Sequence, residues 1–126
     1  MECIVDSIEF LNFSKKIMAS NPIGEIDYRQ VVGRSYYCAF HQVKDKAINL
    51  GIPVDAYAGP THSSLVKTLA ELRPSNQKLK SLGFRIHNFH SRRVIADYKL
   101  DEKVSEVMAN EAIRTCEEIL NDISKL

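Results

Sequence analysis

A chain of 126 residues with 44% hydrophobic and 26% charged side chains has the make-up of one globular domain spanning residues 1–126, long enough to bury roughly two-thirds of its unfolded surface around a single core. No apolar run approaches the roughly 18 residues of a membrane-crossing helix, and Glu2, Asp6 and Glu9 stand where an export signal would carry bases, so a cytoplasmic protein with no membrane partner is expected. The net charge of +1 is unevenly spread, −1 over residues 1–59, +6 over 60–100 and −4 over 101–126, and a basic middle block is either a footprint for nucleic acid or nucleotide phosphate or a solvated face neutralised by the acidic last segment.

Hydrophobic spacing predicts five helices and no strand, an all-α up-and-down bundle of four to five helices. The first runs from about Ser7, or earlier, to Ala19 with Ile4, Ile8, Leu11 and Met18 inward, and Asn21-Pro22 and Gly24 break it. The second opens near Asp27 and reaches Leu50 with Val32, Tyr36, Ala39, Val43 and Leu50 on one face, and Gly51 supplies its stop. Gly51, Pro53, Gly59 and Pro60 make residues 51–60 a loop. Thr61 caps a short third helix with Leu65, Leu69 and Leu72 inward, ended by Pro74. Ser75 caps a fourth that reaches about Ala96, in which Gly83 costs about 1 kcal/mol of helix propensity. Asp101 caps the fifth, with Val104, Met108, Ala112, Ile119 and Ile123 inward.

One residue breaks this pattern. Leu79, Leu82, Ile86 and Phe89 step by threes and fours along one face of the fourth helix, and the next step lands on Arg93. A guanidinium on a core-facing stripe carries a large desolvation cost unless it is paired or lines a cleft. His90, Arg93 and Asp97 share that side of the helix, with Tyr98 just beyond. Arg92 adds a second cation, and Arg85 precedes His90 by five residues with His87 between them. Such a group suits a phosphodiester: arginine offers a bidentate fork to phosphate oxygens, and a histidine or tyrosine moves a proton on or off a ribose hydroxyl or a leaving oxygen. Cleavage of RNA by its own 2′-hydroxyl needs only those roles, so no metal and no cofactor are expected. The same residues also read as ordinary structure. Arg93 and Asp97 form an intrahelical ion pair, His87 and His90 sit at a helix boundary, and Tyr98 anchors the core. Tyr36, Tyr37 and Phe40 read as helix packing rather than as a base-stacking platform, and His41 and His62 as structural or capping residues.

Other chemistries lack their signatures. There is no G-x-x-x-x-G-K-[ST], no G-x-G-x-x-G, no G-x-S-x-G and no H-E-x-x-H. Cys3, Cys38 and Cys116 are scattered with no C-x-x-C, which argues against a disulfide framework or a zinc site and fits a reducing compartment.

Three segments in order, Arg34-Ser-Tyr-Tyr-Cys-Ala-Phe-His41, Thr61-His-Ser-Ser-Leu-Val-Lys-Thr-Leu69 and Arg92-Arg-Val-Ile-Ala-Asp-Tyr98, resemble the HEPN domains, small all-α domains of prokaryotic toxin–antitoxin and defence systems. The resemblance covers roughly residues 25–120. It implies a metal-independent endoribonuclease acting as a homodimer that joins two R-x4-6-H motifs, in a toxin or antiviral defence role. On that footing Arg93 holds the scissile phosphate, Tyr98 or His90 handles protons, Asp97 orients Arg93, and Arg92, Arg85 and His87 hold flanking RNA phosphates. The motif histidine is replaced, because the residue that follows Arg93 after four intervening positions is Tyr98. Arg85-x4-His90 matches the motif literally but lies one to two turns too early. The resemblance equally implies an inert module that binds a nucleotide or a nucleotidyltransferase partner. Some HEPN proteins are paired with such a transferase as antitoxin, which modifies a tyrosine near the motif, and Tyr98 is the candidate acceptor.

Overall fold

The computed structural model describes residues 4–20, 23–54 and 61–126. It contains α1 (Ile8–Ala19), α2 (Glu25–Asn49), α3 (Thr61–Ala70), α4 (Gln77–Tyr98) and α5 (Glu106–Ser124), with no strand among the described residues. The fold is all-α, as the hydrophobic spacing predicts. Asn21 and Pro22, and Gly59 and Pro60 of the expected loop, lie outside the described residues.

Helix α2, of 25 residues, is about 37 Å long and forms the axis of the bundle. It packs against α1, α4 and α5, and α3 lies on α4. Being covered on several sides, α2 buries more than one stripe: Val31, Val32, Ser35, Tyr36, Cys38, Ala39, Val43 and Ala47 are all inside. Many of these are small, which lets the neighbouring helices approach. The buried hydroxyls between α1 and α2 are satisfied, since Ser14 Oγ donates to the Val31 carbonyl at 3.2 Å and Ser35 Oγ donates to Ser14 Oγ at 3.1 Å. Cys38 and Cys116 meet between α2 and α5 as buried free thiols, and the hydrogen bond that Cys116 donates to Cys38, together with burial, pushes the Cys116 thiol up.

Side-chain pairs fix the helix directions. Ser7 reaches Gln42 and Ser14 reaches Val31, so α1 runs antiparallel to α2. Arg85 meets Asp122 and Arg92 meets Thr115, so α5 runs antiparallel to α4. Arg29 meets the end of α4 while Tyr36 meets Phe89, so α4 opposes α2. Helix α3 also opposes α4, with His62 at His90 and Leu69 at Gly83, and therefore runs in the same sense as α2.

Several local expectations are corrected. Ile4 is fully exposed, and Leu50 is half exposed because it already belongs to the turn that Gly51 closes at φ 77°. Helix α2 starts at Glu25 because the Asp27 carboxylate reaches back to accept from the Gly24 N–H at 2.9 Å. The cap of α4 is Asn76, which accepts from the Leu79 N–H, rather than Ser75. The cap of α5 is Ser105, which accepts from the Met108 N–H, rather than Asp101. Val104 is still buried, but as part of the connection before α5. Helix α4 runs unbroken through Gly83, where a Cβ would come within 3.2 Å of Leu69 Cβ, so the glycine admits α3.

The end of α4 is held by a residue with no sequence signal. Arg29, 6% exposed, donates through Nη1 to the carbonyls of Ile95 (3.2 Å), Ala96 (3.0 Å) and Lys99 (3.3 Å), and through Nη2 to the Glu102 carbonyl. The last carbonyls of a helix have no partner within it, and its C-terminus favours a cation. Glu25 completes the tie by accepting from the Val104 N–H at 2.8 Å. Arg29→Met keeps the apolar stem and strips these carbonyls of their donor, so stability should fall by about 3 kcal/mol, read from urea unfolding; a Lys at the same position should recover only part of the loss, because an ammonium cannot span four acceptors on two segments.

Candidate functional site

The tie at Arg29 places the last turns of α4 against α2, so that Arg93, Asp97 and Tyr98 stand at a fixed position beside Tyr37. Arg93 Nη2 donates to Tyr37 Oη at 2.6 Å, and Arg93 Nε lies 2.9 Å from Asp97 Oδ2, an ion-pair contact in which the N–H is not aligned on the oxygen. The guanidinium carbon stands 5.2 Å from the centre of the Tyr37 ring and 5.3 Å from that of Tyr98. The side chains of Arg93 and Asp97 keep 17% and 29% exposure, so the pair is half-buried rather than sealed. Gly33 makes room for it: a Cβ there would meet Asp97 Oδ1 at 3.2 Å.

A second group adjoins it across α2, α3 and α4. Tyr36 Oη and His62 Nδ1 are 2.7 Å apart, an O–H···N bond in the tautomer that carries its proton on Nε2. The His62 ring stacks on His90 with centroids 3.9 Å apart and planes at 18°, and His87 stacks more loosely on His62 at 6.0 Å. Tyr36 presents its ring to His90 at 5.5 Å and 61°. His62 Nε2 is buried with no partner among the described residues. Burial, then the neighbouring His90, His87 and Arg93, pull the His62 pKa down to about 4. Burial, then Arg93 and His87, lower that of His90 below its ordinary value. The arrangement therefore offers a fixed cation beside two imidazoles that stay neutral near pH 7: an anion holder with His90 as the available proton acceptor, since His62 Nδ1 is engaged by Tyr36, and no metal-binding cluster of His, Cys, Asp or Glu among the described residues.

The other sequence-derived candidates lie elsewhere. Arg85 is paired with Asp122 on α5 at 2.5 Å, and Arg92 donates to Thr115 on α5 at 3.3 Å, so both sit on the α5 side of α4 rather than with Arg93. His87 is exposed at the rim of the histidine stack. Tyr98 is 66% exposed, which corrects its reading as a core anchor. Within the basic middle block, Arg85 is thus paired with an acid of the last helix, whereas Arg93 stands among tyrosines and histidines. The sequence reading missed His62, Tyr36, Tyr37, Arg34 and Gly33. Arg34 lies 5.9 Å from the Tyr37 ring centre, on the ring that Arg93 also contacts, and supplies a second cation. The available signal was in the segments opening at Arg34 and Thr61, which carry the family resemblance, but Tyr36 and Tyr37 were read as helix packing and His62 as a structural or capping residue.

The model of the HEPN domain matches residues 6–126. The chain belongs to the HEPN family. No curated protein and no solved structure is significantly similar to it. No described helix is long and apolar enough to cross a membrane. In this HEPN protein the aromatic second helix and the histidine that opens the third converge on the end of the fourth, so the three segments that carry the resemblance are neighbours in space.

The depressed pKa of His62 predicts a pH dependence of stability. The unfolded chain protonates this residue near its ordinary value of about 6.5, whereas the folded protein resists until about 4. Protons therefore favour the unfolded state between those values: the contribution is complete above about pH 6.5 and is lost as pH falls toward 4. Melting temperatures of the wild type should fall across that window more steeply than those of His62→Phe, which removes the titrating group.

Proposed function

We propose that this HEPN protein cuts RNA without a metal ion, as a homodimer, in a toxin or antiviral defence role. The observation that carries the reading is the half-buried Arg93 beside the stacked, neutral His62 and His90. Part of the Arg93 side chain stays open to solvent, where an anion can meet it, and the neutral His90 beside that cation can take up a proton. In the proposed step Arg93 holds the scissile phosphate and Asp97 orients it. His90 takes the proton of the ribose 2′-hydroxyl as O2′ bonds to phosphorus, the bond from phosphorus to O5′ breaks, and the Tyr98 hydroxyl gives O5′ its proton. Arg34, whose guanidinium also approaches the Tyr37 ring, is the second phosphate contact in place of Arg92 and Arg85, which are held against α5.

The test is cleavage of labelled transfer RNA and of a uridine-rich RNA in the presence of chelator. Arg93→Ala should lower the rate about 100-fold or more, and His90→Ala and Tyr98→Phe about 100-fold each. Absence of cleavage by the folded, dimeric wild type would sink the nuclease reading.

A second reading is favoured by one observation: Tyr98 occupies the place of the motif histidine, and Arg93 is already bonded to Tyr37 and Asp97. On it the protein is an inert module that binds a nucleotide or a nucleotidyltransferase antitoxin, with the exposed Tyr98 hydroxyl as the acceptor of modification. Adenosine monophosphate binding that disappears in Arg93→Ala, with no RNA cleavage, identifies this case.

A further inference from the structure

His62 plays no part in the step just described, yet it is the side chain most tightly built into the site. Its Nδ1 is fixed by the Tyr36 hydroxyl at 2.7 Å, and Tyr36 is itself 3% exposed and wedged edge-on against Phe89. Its ring lies face to face with His90 at 3.9 Å. His90 is thereby confined between the face of His62 and the ring of Tyr36, at 5.5 Å, and cannot turn freely about its side-chain bonds. An exposed histidine near the end of a helix would sample several rotamers and would be solvated on both faces.

We propose that His62 is the positioning residue of the Arg93 site: its ring, pinned by Tyr36, covers one face of His90, holds that imidazole in a single orientation and excludes the water that would otherwise solvate its charged form. The inference rests on the reading of His90 as the proton acceptor, and it assigns the start of α3 a task in that chemistry. The titratable and charged groups around His90 are Tyr36 from α2, His62 from α3, and His87 and Arg93 from α4; Arg93 is in turn partnered by Asp97 and Tyr37. Arg93 and His87 disfavour a charge on His90 whether or not His62 is present. The share owed to His62 is cover, which an aromatic ring of any kind supplies and a methyl group does not.

The decisive measurement is the titration midpoint of His90 by side-chain NMR on the full chain. In wild type it should lie below the ordinary value of about 6.5. His62→Ala should raise it by about half a pH unit, and His62→Phe, which restores a ring, should return it to the wild-type value. Tyr36→Phe removes one oxygen from a packed ring and frees His62 to tilt, so it should give a smaller shift in the same direction, and it serves if His62→Ala fails to fold. A His90 midpoint that stays at the wild-type value in these variants overturns the proposal, as does a shift in His62→Ala that His62→Phe does not reverse. The acid limb of the RNA cleavage profile should move with the midpoint. If wild type cuts no RNA, the nuclease reading fails, while the NMR comparison still decides whether His62 sets the state of His90.

Discussion

Arg29 is a buried cation whose close partners are backbone carbonyls, and the end of α4 depends on it. A helix that stops inside a protein must place its last carbonyls somewhere, and here three carbonyls from Ile95 to Lys99, with a fourth from Glu102, converge on one guanidinium rooted in the second turn of α2. The attraction between a cation and a helix C-terminus makes this favourable, and the rigid fork of arginine makes it specific. Because the tie sits at residues 95–102, the turn just before it, which carries Arg93, cannot fray or rotate relative to α2. The geometry of the functional cluster follows from that constraint, including the 2.6 Å bond from Arg93 to Tyr37 and the space that Gly33 leaves for Asp97.

The electrostatics divide along α4. On the side facing α5, Arg85 is paired with the Asp122 carboxylate and Arg92 donates to the Thr115 hydroxyl, so both guanidinium groups are held against α5. On the side facing α2 and α3, the one carboxylate among the described residues that contacts Arg93 is that of Asp97, and the other neighbours are tyrosines and histidines. Aromatic rings accept a cation on their faces without neutralising it. Burial first, and the neighbouring cation and imidazoles second, lower the pKa of His62 and of His90.

Much of the fold was legible from spacing. The stripes Val32, Tyr36, Ala39, Val43 and Leu79, Leu82, Ile86, Phe89 are buried as their periods require. Errors fell at helix ends. Ser75 and Asp101 are plausible caps, yet Asn76 and Ser105 are used, because the cap is chosen by where the chain must turn to bring the next apolar stripe onto the core. Arg93 was conspicuous because it interrupts a stripe. His62 was not, because nothing local distinguishes a histidine at the start of a helix from a surface one; its partners lie 26 and 28 positions away, on α2 and α4.

The sequence by itself determined the all-α class, the approximate helices, the faces they bury and the anomaly at Arg93, since each of these is a matter of period along one chain segment. Tertiary structure decided which charged and aromatic groups meet. Arg93, Asp97 and His90 share a helix side by arithmetic, but their pairing with Tyr37, Tyr36 and His62 depends on the docking of three helices in a particular register, and so does the diversion of Arg85 and Arg92 to α5. Period specifies a face, whereas register is set by the packing of many small contacts and by the carbonyl tie at Arg29, and neither leaves a mark in any one segment of sequence.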